Sequence, residues 1–175
     1  GILSLGQLVV FKTVRVAGTK IDEAILNHMR RKHSLHIGER TSEIIKMNIA
    51  NAHLPDEANY QEKKMEVRGR DTQSGLPKIL EIGEITINEA LQKPLKQIVD
   101  GVKEVLSESP PELAADIVDK GIVLSGGTSQ LGNLDKYITY YTGVPAFVVE
   151  EPLFCVIRGI GMAIENLDSY KKAIR

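Results

Sequence analysis

The stretch from Asp119 to Glu150, DKGIVLSGGTSQLGNLDKYITYYTGVPAFVVE, constrains the fold more than any other part of the chain. Ile122, Val123 and Leu124 form a short apolar run of the kind that makes a strand buried on both faces. Ser125, Gly126, Gly127, Thr128 and Ser129 follow as a tight turn without bulky side chains. Leu131 to Tyr141 has helical spacing, with Leu131, Leu134 and Ile138 on one stripe, and Gly143 suits the C-terminal cap. Val144 to Val149 returns as a second strand. In the order strand, glycine turn, helix, backbone N–H groups can face a ligand, and glycine lets that ligand come close. A purely structural corner of an α/β layer would use the same residues, and the local sequence leaves both readings open.

The chain has 175 residues and a formal net charge of −1. That length fits one domain of ordinary size, or one with a modest insertion. Near-neutral charge gives no electrostatic case for nucleic acid as the main partner. Arg30, Arg31, Lys32 and His33 are basic, but they end an amphipathic helix, where cations complement the helix dipole. The single cysteine, Cys155, allows no internal disulfide and fits a reducing, cytoplasmic setting. No apolar run approaches the roughly 18 residues of a membrane span, and the opening residues lack a secretory leader pattern. Gly1 to Val16 already reads as strand, so the chain is expected to begin inside a sheet, as a fragment would.

Two strands, Gly1–Leu5 and Gln7–Val16, are expected around a turn at Gly6. Thr19 is placed to cap a helix carrying Ile21, Ala24, Ile25 and Met29 on one face. Glu39–Ala52 reads as a second helix with Ile44, Ile45 and Ile49 inward, and its acidic first turn holds Glu39 and Glu43. His53 to Asn59 is loop-like. Met65–Arg70 and Lys78–Glu84 pair as strands around a turn at Asp71–Gly75, and this polar segment reads as an inserted satellite subdomain. Thr86 and Glu89 have capping-box spacing for a helix running to Ser107, with Pro94 predicting a kink or break. Ser109-Pro-Pro-Glu-Leu opens another helix, ending at Gly121, and a last helix runs from Phe154 to Asn166.

No complete catalytic set is present. His33 and His36 could share a helical face, but no further ligand completes a metal site, so they read as surface histidines. Glu150 and Glu151 are adjacent on a strand end and point apart. Ser125 lacks the GxSxG context of a nucleophile, and there is no Walker A motif. Glu43 and Lys46 are i, i+3 neighbours, so a carboxylate and an ammonium emerge on one helix face. They read either as a surface ion pair or as the edge of a purine or ribose site.

Taken together, VRVAGTKIDEAI (Val14–Ile25), IGERTSEIIK (Ile37–Lys46), SGLP (Ser74–Pro77), SPPELAADIVDKGIVLSGGTSQLGNLD (Ser109–Asp135) and TGVPAFVVEEPLFCVIRGIGMAIEN (Thr142–Asn166) resemble the bacterial actin family MreB. The matching segments lie in family order along almost the whole chain. The resemblance implies an actin-like ATPase (ribonuclease H-like) α/β fold, of which this chain is the second domain with a small inserted α+β subdomain. Residues 1–35 with 98–175 would form the inner subdomain and 36–97 the outer insert. The resemblance also implies that ATP or ADP, with Mg²⁺, sits in the cleft of the intact protein. Gly126, Gly127, Thr128 and Ser129 would contact the adenosine, and Glu43 and Lys46 would border the nucleoside. Thr128 stands where many relatives carry a third glycine, a mild change in how closely the backbone is approached.

The function so implied is that of the nucleoside-binding half of an ATP-dependent filament protein organising cell shape and wall growth. A fragment of another superfamily ATPase, such as a sugar kinase or chaperone, is the alternative. The first phosphate loop and the water-positioning acid belong to the family's first domain, and the second phosphate loop should lie just before Gly1. The chain alone is therefore expected to be a monomer, inactive as an ATPase and weak or silent toward nucleotide. Self-association into filaments, and any membrane association, are expected only of the intact protein.

Overall fold

Helical periodicity and strand alternation build the described residues, 1–56 and 60–170 of the computed structural model. The expected loop at His53–Asn59 is seen to Asp56; residues 57–59 lie outside the described residues. Helix α1 (Gly18–His33) buries Ile21, Ile25 and Met29, spaced four apart on one stripe. It opens on the Ala17 carbonyl, which accepts from the Lys20 and Ile21 N–H groups at 2.9 and 3.2 Å. Thr19 therefore falls inside the first turn and is not the cap. The helix ends at Ser34, in the left-handed region at φ 52°, after its run of basic residues.

Helix α2 (Glu39–Ile49) buries Ser42, Ile45 and Ile49. Ile44, expected inward, is 42% exposed, because the buried stripe passes through Ser42 instead. The helix stops short of Ala52, whose N–H donates to the Gly132 carbonyl at 2.7 Å, while Asn51 bridges to Gly132. Those N–H groups are used by the neighbouring segment, so the helical ladder cannot continue.

Strands β1 (Ile2–Ser4) and β2 (Gln7–Val10) form an antiparallel hairpin turning at Leu5 and Gly6, both at positive φ. The second strand ends at Val10, not Val16. Residues beyond it run against α3 (Glu84–Ser107), with Lys12 ion-paired to Glu104 and Val14 seated on Gly101. Strands β3 (Leu35–His36), β4 (Lys64–Asp71) and β5 (Pro77–Gly83) make an antiparallel sheet in that order. At the β4–β5 turn the Asp71 carboxylate accepts from the Gln73 and Ser74 N–H groups, each at 2.9 Å, and from Lys78 at 3.0 Å. Led by the Ser74 backbone bond, these contacts hold its carboxyl far below the usual carboxylate range.

Helix α3 begins two residues before Thr86, on Gly83 with no side-chain cap, so the capping box does not form. Glu84 is buried in its first turn and accepts from the Tyr60 hydroxyl and the Lys63 N–H. Glu89 pairs with Lys32 of α1. Pro94 lies buried inside α3 without ending it, so no break occurs there.

Helix α4 (Pro111–Lys120) carries proline in its first turn and stops at Gly121, as expected. Strand β6 (Ile122–Leu124), helix α5 (Leu134–Thr142) and strand β7 (Ala146–Val148) then form a crossover with β6 and β7 parallel. Val123 is 58% exposed, so β6 is not buried on both faces as its composition predicts; in the described residues it pairs with β7 alone and has an open side. Helices α6 (Cys155–Glu165) and α7 (Leu167–Tyr170) close the described chain. One buried cluster joins α1, α2, β3–β5, α3 and α5 through residues such as Ile25, Ile45, Val67, Leu91 and Ile138.

Candidate functional site

Between β6 and α5 the chain makes a 3₁₀ turn, Gly127–Gln130. Gly126 enters it at φ +86°, a backbone state that a side chain disfavours, and a Cβ built on it would meet open space. Its N–H donates to the Pro152 carbonyl at 2.8 Å, pinning the turn to the segment before α6. The Ser129 N–H and hydroxyl both donate to the Gly126 carbonyl, at 3.2 and 2.7 Å. Ser129 is buried, so it shapes the turn from inside instead of offering its hydroxyl outward. The Ser129 and Leu131 N–H groups close onto Gly126 and Thr128, whereas the Gly127 and Thr128 N–H groups make no such bond among the described residues.

Thr128 points toward the start of α1. Its Oγ1 lies 3.8 Å from the position a Cβ on Gly18 would take, and the Lys46 Nζ lies 3.4 Å from the same position. A threonine hydroxyl and an ammonium thus converge over a residue that has no side chain. Lys46 reaches this point from α2, where Ser42 and Ile45 face the core and leave Lys46 at the seam with α1.

The ion pair at Lys46 is not the one its helical spacing offers. Its ammonium donates to Asp22 Oδ2 at 2.8 Å, with both side chains 18% exposed. Asp22 Oδ1 is buried without a hydrogen-bond partner. The Asp22 carbonyl accepts from the buried Ser42 hydroxyl at 2.6 Å, stapling α1 to α2 at the same level. Glu43 sits on the exposed side of α2 and forms no ion pair among the described residues. The structure therefore brings Lys46 and Thr128 together, turns Ser129 inward and leaves Glu43 at the rim.

Sequence reasoning missed Gly18 and Asp22. Gly18 lies inside the family-like segment Val14–Ile25, which marks it only as part of the resemblance and not as a site residue. Asp22 carried one faint signal, a carboxylate directly beside the buried stripe position Ile21. His33 and His36 do not share a helical face, since His33 ends α1 and His36 lies in β3, and His33 is not a surface residue, because its Nε2 is buried. No described helix is long and apolar enough to cross a membrane.

The family profile described as MreB/Mbl protein matches residues 1–172. The cell shape-determining protein MreB of Escherichia coli (strain K12) is 43% identical over 169 residues, covering 97% of this chain and 48% of its own. The cell shape-determining protein Mbl of Bacillus subtilis (strain 168) is 39% identical over 171 residues, covering 98% of this chain and 50% of its own. The chain spans about half the length of the curated relatives it matches. Among solved structures, MreB 5 of Spiroplasma citri bound to AMPPNP superposes with a TM-score of 0.88 at 32% identity, over 98% of this chain and 50% of that one. A MamK double helical filament shares the fold at a TM-score of 0.65 and 20% identity, over 82% of this chain and 42% of its own. These likenesses favour the bacterial actin reading over a sugar kinase or a chaperone. With an actin-like mixed α/β fold and its sequence matched almost from end to end, the chain belongs to the MreB/Mbl protein family.

Proposed function

We propose that this chain supplies the nucleoside-binding wall of an ATP-dependent, filament-forming protein that organises cell shape. The observation that carries this reading is the placing of Lys46 Nζ and Thr128 Oγ1 on either side of Gly18, 3.4 and 3.8 Å from where its Cβ would stand, beside the turn that opens at Gly126. It has the chemistry a nucleoside needs, with donors for ribose and base acceptors and a bare backbone for close approach. Support comes from MreB 5 of Spiroplasma citri, whose structures are described with AMPPNP and with ADP.

In this reading Gly126, Gly127 and Thr128 meet the adenosine and Ser129 holds the turn that presents them. Lys46 borders the nucleoside from α2 and Glu43 guards its outer rim. Residues 1–35 with 98–175 act as the inner subdomain and 36–97 as the outer one, the latter carrying β4, β5 and all of β3 but Leu35. When bound, ATP with Mg²⁺ supplies a hydrolysable link between this half and a second one. The residues here bind and orient the nucleoside, while the phosphate chemistry belongs to groups outside this chain. Filaments form in the cytoplasm, and their membrane association also belongs to the intact protein.

Isothermal titration of ADP into the intact protein and into these 175 residues tests the reading, with light scattering as a second readout. Binding by the intact protein that Lys46→Ala weakens, little binding by the chain alone, and no ATP-dependent scattering from the chain alone are the expected results. ADP binding to the intact protein that Lys46→Ala and Gly127→Val leave unchanged would overturn it.

A further inference from the structure

We infer that Asp22 is a positioning residue of the nucleoside site, one that aims Lys46 and cancels its charge so that the site reads the nucleoside and not the phosphates. This rests on the nucleoside reading of Lys46 and Thr128 given above. Asp22 and Lys46 belong to different helices, and the carboxylate meets the ammonium at 2.8 Å in a half-buried seam. An ammonium on a four-carbon stem has many orientations. A carboxylate fixed behind it selects one, and here that one places Nζ over Gly18, 3.4 Å from where a Cβ would stand.

Asp22 is itself immobilised. Its backbone carbonyl takes the Ser42 hydroxyl at 2.6 Å, and its neighbour Ile21 is fully buried in the core. The carboxylate can then follow Lys46 only by turning about its own side-chain bonds, because its backbone is held. Ser42 and Lys46 lie on one face of α2, so the serine and the lysine grip the same residue of α1 through its main chain and its side chain. This double grip registers α1 against α2 at the point where the two helices and the glycine turn converge.

The pairing has a chemical consequence. An unpaired ammonium attracts phosphate groups at long range, in proportion to their charge and with strong salt dependence. Paired with Asp22, Lys46 keeps two further N–H donors but contributes little net field. It then favours a neutral acceptor at short range, a ribose oxygen or a ring nitrogen, over the more distant phosphates. Pre-orientation also removes part of the entropy cost of fixing a long side chain on binding.

The test compares adenosine with ADP on the intact protein by isothermal titration at low and high salt, for Asp22→Asn, Asp22→Glu and Lys46→Gln. Asp22→Asn should weaken adenosine by about tenfold, the loss of one charge-assisted contact, and should weaken ADP less while steepening its salt dependence. Asp22→Glu, which restores the charge, should recover the shallow salt dependence. In the Asp22→Asn, Lys46→Gln double variant the loss should equal that of Lys46→Gln alone, because Asp22 acts through Lys46. Circular dichroism identifies any variant that fails to fold, and the Asp22→Glu comparison then decides. Equal effects of Asp22→Asn on adenosine and ADP, or losses that add in the double variant, would overturn the inference. If Lys46→Gln and Gly127→Val change neither ligand, the nucleoside reading itself fails; if they weaken both and Asp22→Asn changes neither, only the role of Asp22 falls.

Discussion

The side-chain amide of Asn133 donates to Asn51 Oδ1 at 2.9 Å, joining two residues 82 positions apart in the chain. The same amide reaches the His53 carbonyl at 3.2 Å, and Asn88 of α3 donates to the Asn51 and Ala52 carbonyls at 2.8 and 3.1 Å. Three asparagines thus tie the end of α2 to the residue that opens α5, just after the glycine turn. Lys46 and Thr128 both border Gly18, and this latch and the Asp22 pair join the elements that carry them.

Asn133 also sits at φ 52°, where a side chain other than asparagine or glycine is strained. Asn133→Ala should lose both amide bonds and add strain, costing about 2–3 kcal/mol. Asn133→Gly removes the strain and keeps the loss, so it should cost about 1–2 kcal/mol. Urea unfolding of both variants separates the two contributions, and equal losses would mean that the backbone state carries no cost.

The two glycines of the turn should respond differently to substitution. Gly126 is at φ +86° and ψ 170°, a state essentially confined to glycine, with open space around it, so Gly126→Ala strains the backbone without a clash, at about 1–3 kcal/mol. Gly127 has no such φ, and an added Cβ would meet Leu153 Cδ2 at 3.3 Å. Gly127→Val in the intact protein should lower ADP affinity by about tenfold or more while far-ultraviolet circular dichroism is retained. Unchanged affinity with an intact fold would leave the turn with a structural role only.

Tyr137 is pushed from 10.0 up to about 12, by burial first and then by Tyr141. The unfolded chain releases this proton first, so the stabilisation is complete below about 10 and is lost as pH rises toward about 12. Phenolate absorbance should show Tyr137 titrating late, together with Tyr60, which its hydrogen bond to Glu84 also raises. Tyr137→Phe, which cannot ionise, should flatten the alkaline fall in melting temperature.

Acid acts on a different pair. His28 and His33 face each other with ring centroids 6.1 Å apart, and both Nε2 atoms are buried without a hydrogen bond, although His28 Nε2 lies 3.8 Å from the Glu89 carboxylate. Burial, then Lys32, lowers both from the ordinary value of 6.5, although Glu89 opposes the shift at each. Arg31 adds to the lowering at His28 and Lys78 at His33. Their folded values lie below the unfolded one, so stability is full above about 6.5 and falls as acid protonates them. Thermal melts across that range should fall on acidification. The double variant His28→Gln, His33→Gln should be flatter there.

Local order was legible where local chemistry decides it. The glycine turn, the proline-led start of α4 and the β4–β5 hairpin all follow from turn and cap residues a few positions apart. What escaped reading depends on distant partners. Glu43 is three residues from Lys46, yet the lysine pairs with Asp22, 24 positions away, because helix packing and not helical spacing brings them together. The capping box at Thr86 and Glu89 failed for the same reason: Glu89 is drawn to Lys32 across the helix interface and Glu84 is buried in the first turn. The β6 composition implies cover on both faces, but the described chain provides only part of that cover.

A single absent methyl group lets the strap that follows β2 cross α3. A Cβ on Gly101 would land on a methyl group of Val14, in the strap that follows β2 across α3. Intrinsic helix preference favours alanine over glycine there by about 1 kcal/mol, so local and tertiary demands oppose each other. Position 101 should therefore appear in a saturation scan as a site where every side chain is rejected, the smallest included. The exchange Gly101→Ala with Val14→Ala should restore what Gly101→Ala alone loses, since either residue can surrender the space. The register of the strap on α3 is in this sense encoded in a missing side chain, whose space Val14 takes.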